Sequence, residues 1–148
     1  MNVSLSSTMP RYRNAKATEI TKEQHLIFKQ IVNILKPYSK QTDLRINTDQ
    51  HYELWTKHGF RSHSFHPKHK KGLLFAGLVI LKRNVGLYLF ALHIEKKFVG
   101  KIDAGLLPLW KGGSAFHFDE SLSDLTTQSL DSLITEAWIL YQQNKWVA

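Results

Sequence analysis

The apolar residues near the start of the chain recur with the spacing of an α-helix. In the segment TKEQHLIFKQIVNILKPY they fall at Leu26, Ile27, Ile31, Ile34 and Leu35. Spacings of three and four residues place these side chains on one helical face. Thr21 is suited to cap the first turn, and Pro37 marks the end of the helix. A helix with one buried face is therefore predicted here.

The same spacing returns near the end of the chain. The apolar positions of this second stripe are Leu130, Leu133, Ile134, Ala137, Trp138 and Tyr141. They predict a final helix, which Ser121 or Ser123 can cap. We expect Trp146 to fold back onto the domain.

Between these helices the pattern changes to that of β-strands. Two apolar runs in GLLFAGLVILKRNVGLYLFALH, residues 72–93, flank the polar turn KRN and predict a hairpin. Because side chains alternate along a strand, Phe75 and Val79 should point to one face and Ala76 and Leu78 to the other. Both faces are apolar, which is typical of central strands. The segments DLRINTD, HYELWTKH and SAFHF predict three shorter strands.

These elements predict an α+β fold with a single antiparallel sheet of about five strands. The N-terminal and C-terminal helices should pack on one face of this sheet. The other face of the hairpin then still carries large apolar side chains, which need a cover. We expect that cover to be the basic loop that precedes the hairpin, the segment 101–111, or a second subunit in a homodimer.

Length and composition limit the number of domains, the possible kinds of site and the expected location of the protein. The 148 residues suit one domain, predicted at 19–148, after a basic tail at 1–18 that is expected to be disordered. The chain has no cysteine, which excludes disulfides and thiolate metal sites. No apolar run predicts a signal peptide or a membrane span, so the cytoplasm is the expected location and no membrane partner is expected.

Charge is distributed unevenly along the chain. Residues 1–111 carry 19 Lys and Arg against 7 Asp and Glu, whereas residues 112–148 carry 1 against 5. A basic half of this kind can attract an anionic partner. Charge alone gives no sequence readout, so nucleic-acid binding is kept as a secondary alternative.

The basic loop contains four of the eight histidines, in HGFRSHSFHPKHKKG. His63 and His66 are weak candidates for a metal site. However, no Asp or Glu occurs between Glu53 and Glu95, and five Lys and Arg crowd residues 57–71. A dication would bind against that positive field, so no metal or other cofactor is predicted.

Candidate ligand-binding residues cluster around the segment WKGGSAFHF. A glycine pair can let backbone N–H groups approach an anion, although a simple glycine turn that opens a strand is the alternative. If a ligand pocket exists, we expect it beside the hairpin, formed by Tyr88, His93, Lys111, Gly112, Gly113, Ser114 and His117. His117 has an alternative structural role as a hydrogen-bonded histidine. No catalytic residues are predicted, because the motifs of nucleophilic, zinc-dependent and dinucleotide-dependent enzymes are missing.

Three stretches carry a family resemblance: FAGLVILKRNVGLYLFALH, KGGSAFHF and the terminal YQQNKWV. Over residues 22–148 the chain resembles the DUF1801 or YdhG-like domain family. Its pattern has a lysine-containing turn, a VGxY strand, a KGKSxFHF-like segment and a final helix closed by tryptophan. Gly113 stands where that pattern has a lysine.

The resemblance implies an α+β fold, frataxin-like or related, and no general enzymatic activity. It implies a cytoplasmic binding or accessory protein whose partner is a small ligand or another protein. Some relatives are described as frataxin-like iron chaperones, so metal delivery is an alternative. The predicted first helix nevertheless contains a single acidic residue, Glu23, where iron handling calls for several oxygen ligands.

Overall fold

The computed structural model describes residues 19–57 and 72–147. Within these ranges the chain forms an α+β fold with one five-stranded antiparallel sheet. The strands are β1 Asp43–Asn47, β2 His51–Trp55, β3 Leu74–Ile80, β4 Val85–Leu89 and β5 Ala115–Phe118. They are paired in chain order, each antiparallel to its neighbour. The helices are α1 Lys22–Leu35, α2 Ala91–Ile94 and α3 Asp124–Gln143.

Both long helices begin where their capping residues stand. The Thr21 side chain accepts a hydrogen bond from the Gln24 N–H, and the Gln24 side chain accepts one from the Thr21 N–H. These two bonds form a capping box. Ser123 caps α3 in the same manner by accepting from the Thr126 N–H. α1 ends at Leu35, and Pro37 follows in a short 3-10 helix, Lys36–Lys40. The predicted helices and their caps are confirmed.

α1 and α3 pack against the same face of the sheet, here called the helix side. The predicted stripes are buried except for Leu26, which is 47% exposed because it lies about 100° around the helix from Ile27, on the side away from the buried Phe28. This face is lined by Tyr52, Leu54, Ala76, Leu78, Ile80, Val85, Leu87, Leu89, Phe116 and Phe118. They form one core cluster with the buried residues of both helices, such as Ile27 and Tyr141. Each fully buried large apolar side chain contributes about 1.5–3 kcal/mol relative to exposure.

Phe75 differs from its predicted position. Simple alternation assigns it to the face of Val79, but its ring lies 5.3 Å from that of Trp138 and 5.2 Å from that of Tyr141. The register of β2 and β3 shifts at this point, so that Phe75 has no partner in β2. Such a bulge re-aims a side chain, and it turns Phe75 toward the helix side.

The opposite face of the sheet, here called the outer face, carries a second, smaller apolar cluster. Val79, Leu81 and Tyr88 are buried there, and Ala115 packs against them. The segment 101–111 does not cover this cluster with its apolar residues, because Ile102 and Leu106 belong to the main core. The basic loop, the second predicted cover, lies outside the described residues. Because Val79, Leu81 and Tyr88 are buried within a single chain, their burial does not require a second subunit.

Candidate ligand-binding face

Tyr88 and His117 meet on the outer face around a glycine. In the β4–β5 pair, Gly86 lies directly opposite His117 and Tyr88 opposite Ala115. A Cβ at Gly86 would stand 3.1 Å from both Cε2 and the hydroxyl oxygen of Tyr88, so the Tyr88 ring lies over this glycine. Opposed residues in an antiparallel pair have Cα atoms about 4.5–5.5 Å apart. The Tyr88 hydroxyl therefore lies above the residue paired with His117.

Lys111 reaches the same face from the segment before β5. Its N–H donates to the carbonyl of Ala115 at 2.8 Å, and the neighbouring Trp110 pairs with Phe116. Trp110 packs against the main core, so alternation sends the Lys111 side chain to the outer face. Lys111 is exposed and His117 is half-buried.

The electrostatics at this place follow from burial and from Lys111. Burial lowers the pKa of His117 below its usual value, and the positive charge of Lys111 lowers that pKa further. Burial also raises the pKa of the Tyr88 phenol. At neutral pH the site therefore presents an ammonium group, a neutral imidazole and a protonated phenol.

The two glycines of the predicted site form the turn between Lys111 and β5. Gly112 and Gly113 have φ values of 92° and 55°, which favour glycine. The Trp110 indole N–H donates to the Gly113 carbonyl at 2.9 Å, and the Ala115 N–H donates to Gly112. A Cβ at either glycine would meet nothing within 4 Å. The glycine pair thus serves a strand-opening turn whose backbone stays accessible.

Ser114 and His93 are placed away from this group. The carbonyl of Ser114 accepts from the Leu89 N–H, and alternation directs the Ser114 side chain to the helix side with Phe116. His93 lies on α2, beyond the end of β4, where its exposed ring stacks on Phe90 at 5.1 Å. Of the seven candidates, Tyr88, Lys111 and His117 belong to the outer face, and Gly112 and Gly113 follow Lys111 directly.

A second polar group, centred on Glu53 of β2, was not anticipated. The Glu53 carboxylate is buried, with a side chain only 2% exposed. It lies 2.7 Å from Nε2 of His51 and accepts from the Trp55 indole N–H at 2.8 Å. The Arg45 guanidinium lies over the Trp55 ring at 4.6 Å. The alternation in HYELW, which places His51, Glu53 and Trp55 two residues apart, is the signal that could have indicated this group.

The buried Glu53 carboxylate is stabilised by its hydrogen bonds to His51 and Trp55. A buried carboxylate costs several kcal/mol unless hydrogen bonds and charge compensate for its lost hydration. Its two oxygens accept from different partners, His51 and Trp55, which fixes the plane of the carboxylate. Since all three residues belong to β2, these bonds fix the orientation of the Glu53 side chain within that strand.

The described residues contain neither a metal-ligand cluster nor a membrane-spanning helix. In residues 19–57 and 72–147 no group of three or more His, Asp or Glu could hold a metal ion. His63 and His66 lie outside these ranges. No helix in the same ranges is long and apolar enough to cross a membrane. Comparison with protein-family models, with curated proteins and with solved structures finds no match for this chain.

Proposed function

We propose that this chain is a non-enzymatic cytoplasmic protein of the DUF1801 type that binds a small ligand at the outer face, at the group formed by Tyr88, Lys111 and His117. One observation carries the proposal. Lys111 and His117 come from separate segments and interact electrostatically, and His117 lies opposite Gly86, which the Tyr88 ring covers. A few convergent polar groups beside an apolar surface are typical of ligand sites.

The frataxin-like or related fold is part of this proposal. Helices from both ends of the described chain pack on one face of an antiparallel meander, which agrees with the architecture that the family resemblance implies. Fold likeness does not supply function, so the proposal rests on the site.

Native mass spectrometry of untagged protein is the first test. A monomer with excess mass would support a bound small molecule, and a dimer of bare chains would shift attention to self-association through the outer face. A panel of metabolites would then be screened by thermal shift, because a ligand that binds the folded state raises the melting temperature.

Matched variants locate any ligand that this screen finds. His117→Gln and Lys111→Met should weaken binding, whereas Lys97→Met removes an exposed lysine on the 3-10 helix Lys96–Lys101 and should leave binding unchanged. Equal affinity in all four proteins would place the ligand elsewhere and overturn the proposal.

Metal delivery and nucleic-acid binding stay alternative predictions. Calorimetric titration with ferrous or zinc ions tests the first, and a site weaker than about 10 μM would speak against it. For the second, affinity for oligonucleotides should fall steeply with salt because phosphate contacts release counterions.

A further inference from the structure

We propose that the ligand of the outer-face site presents an oxyanion, a carboxylate or a phosphate group, to Lys111 and His117. This inference rests on the proposed function and adds the chemical class of the ligand.

The side chains at this place are hydrogen-bond donors of a kind that suits an oxyanion. Lys111 offers an ammonium group with three donors and a full positive charge, and a neutral His117 imidazole offers one N–H. Charge-assisted hydrogen bonds to carboxylate or phosphate oxygens are about twice as strong as those between neutral groups. Lys111 therefore favours an anion over an uncharged ligand.

The position of His117 is set by its neighbours on β4. Gly86 leaves room for the Tyr88 ring, since a Cβ there would stand 2.9 Å from Cδ1 of Leu81 and 3.1 Å from Tyr88. The Tyr88 ring consequently bounds one side of the space next to His117. Tyr88 is 5% exposed and His117 is half-buried, so the imidazole is the member of this pair that a ligand can reach.

The glycine turn leaves space on the remaining side. Gly112 and Gly113 follow Lys111 directly, and the positions of their absent Cβ atoms have no neighbour within 4 Å. A group held by the Lys111 ammonium can therefore approach the backbone of this turn without meeting a side chain.

Nuclear magnetic resonance titration tests the inference. Sodium phosphate and sodium acetate, each against sodium chloride at matched ionic strength and fixed pH, would be added to the full-length protein. We expect saturable shifts at the His117 ring and at the amides of Lys111, Gly112 and Gly113. Lys111→Met should weaken binding by a factor of about two to five, the effect expected when one exposed charge is removed. Lys97→Met should leave the affinity unchanged.

The outcomes separate this inference from the proposed function. One outcome is that neither anion gives saturable shifts while an uncharged ligand from the screen perturbs the same residues. In that case the proposed ligand class is wrong, and the proposed ligand site is supported. Equal chemical-shift changes in Lys111→Met and in the wild type would also overturn the proposal of an oxyanion ligand, since they would reflect nonspecific ion effects. If no compound of any class perturbs these residues, both proposals fail. His117→Gln, which keeps a side-chain N–H donor, should bind more tightly than His117→Ala if the imidazole N–H contacts the anion.

Discussion

Tyr141 joins the last helix to the sheet through a single hydroxyl group. The side chain is fully buried, and its hydroxyl donates to the carbonyl of Leu74 at 2.6 Å. Leu74 precedes the bulged residue Phe75, where the ladder between β2 and β3 is interrupted. The phenol therefore satisfies a buried carbonyl at an irregular point of the sheet. Burial also raises the pKa of this phenol strongly, so it stays protonated and can donate.

Replacing Tyr141 with phenylalanine should lower the free energy of unfolding by about 1–3 kcal/mol, because the Leu74 carbonyl would stay buried without this donor. Urea denaturation monitored by circular dichroism measures the change. Tyr38→Phe is the matched control. The Tyr38 hydroxyl makes an exposed 3.2 Å contact with the Thr135 hydroxyl, and removing it should change the free energy of unfolding by less than about 0.5 kcal/mol. Equal losses in the two variants would contradict the importance of the buried bond.

His117 should make the stability of the protein depend on pH. Its pKa in the folded state is lowered, so the unfolded chain binds the proton more readily. The corresponding stability is present above the unfolded value, about 6.5, and is lost as pH falls through the lower folded value. His117→Gln removes this dependence.

The measurement is the free energy of unfolding of both proteins in urea between pH 8 and pH 5. The stability of the wild type relative to His117→Gln should decrease as the pH falls below about 6.5. The two proteins share every other residue, so the contributions of those residues cancel in the difference. A difference that is constant with pH, or that grows as the pH falls, would contradict the lowered pKa.

At the scale of elements, α3 ends in a conformation that its sequence does not favour. Lys145 has a φ of 61°, and the Trp146 N–H donates to the Tyr141 carbonyl at 2.8 Å. This is the helix ending in which glycine is usual after the cap. The left-handed conformation costs an ordinary L-residue about 1–2 kcal/mol. The bond to Tyr141 and the burial of Trp146 hold the chain in this shape.

Lys145→Gly should stabilise the protein by about 0.5–1 kcal/mol, the relief of strain less the greater entropy of glycine in the unfolded chain. Lys145→Ala is the control, because alanine keeps the Cβ that causes the strain and should not stabilise. Thermal and urea unfolding of the three proteins give the comparison. A stabilisation by alanine equal to that by glycine would point to the lysine charge instead.

The elements differ in how well the sequence predicted them. α1 and α3 are long amphipathic helices, and their periodicity identified them together with Thr21 and Ser123. The apolar run of the second hairpin strand extends to His93, yet β4 ends at Leu89 and the chain turns into α2. A four-residue helix has no periodicity of its own. The Leu89 N–H makes a last bond to the carbonyl of Ser114, the residue just before β5, and Phe90 then stands at the N-terminus of α2.

At the scale of the whole molecule, one core joins both long helices to the sheet. Ile27 of α1, Leu78 of β3 and Tyr141 of α3 belong to the same buried cluster. Gln30 adds a polar link, since its side chain accepts from the Leu122 N–H at 2.9 Å and donates to the Leu122 carbonyl. Helices and sheet that share one core should unfold together.

We expect the described domain to unfold in urea in a single cooperative transition. Far-ultraviolet circular dichroism reports the helices, and tryptophan fluorescence reports all four tryptophans, among them Trp55 on β2 and Trp138 on α3. The two urea curves should superimpose. Separate midpoints would show that part of the structure unfolds independently of this core.

The sequence by itself determined the fold class, the two long helices with their caps and the strand segments, because burial on one or two faces leaves a local periodic pattern. It also placed Tyr88, Lys111 and His117 among the candidates, since their segments flank a predicted hairpin and a glycine turn. Only the tertiary structure decided which of these side chains meet. Strand register set Gly86 opposite His117, and a bulge turned Phe75 to the helix side. Those outcomes depend on contacts between residues far apart in the chain, and local periodicity carries no record of such contacts.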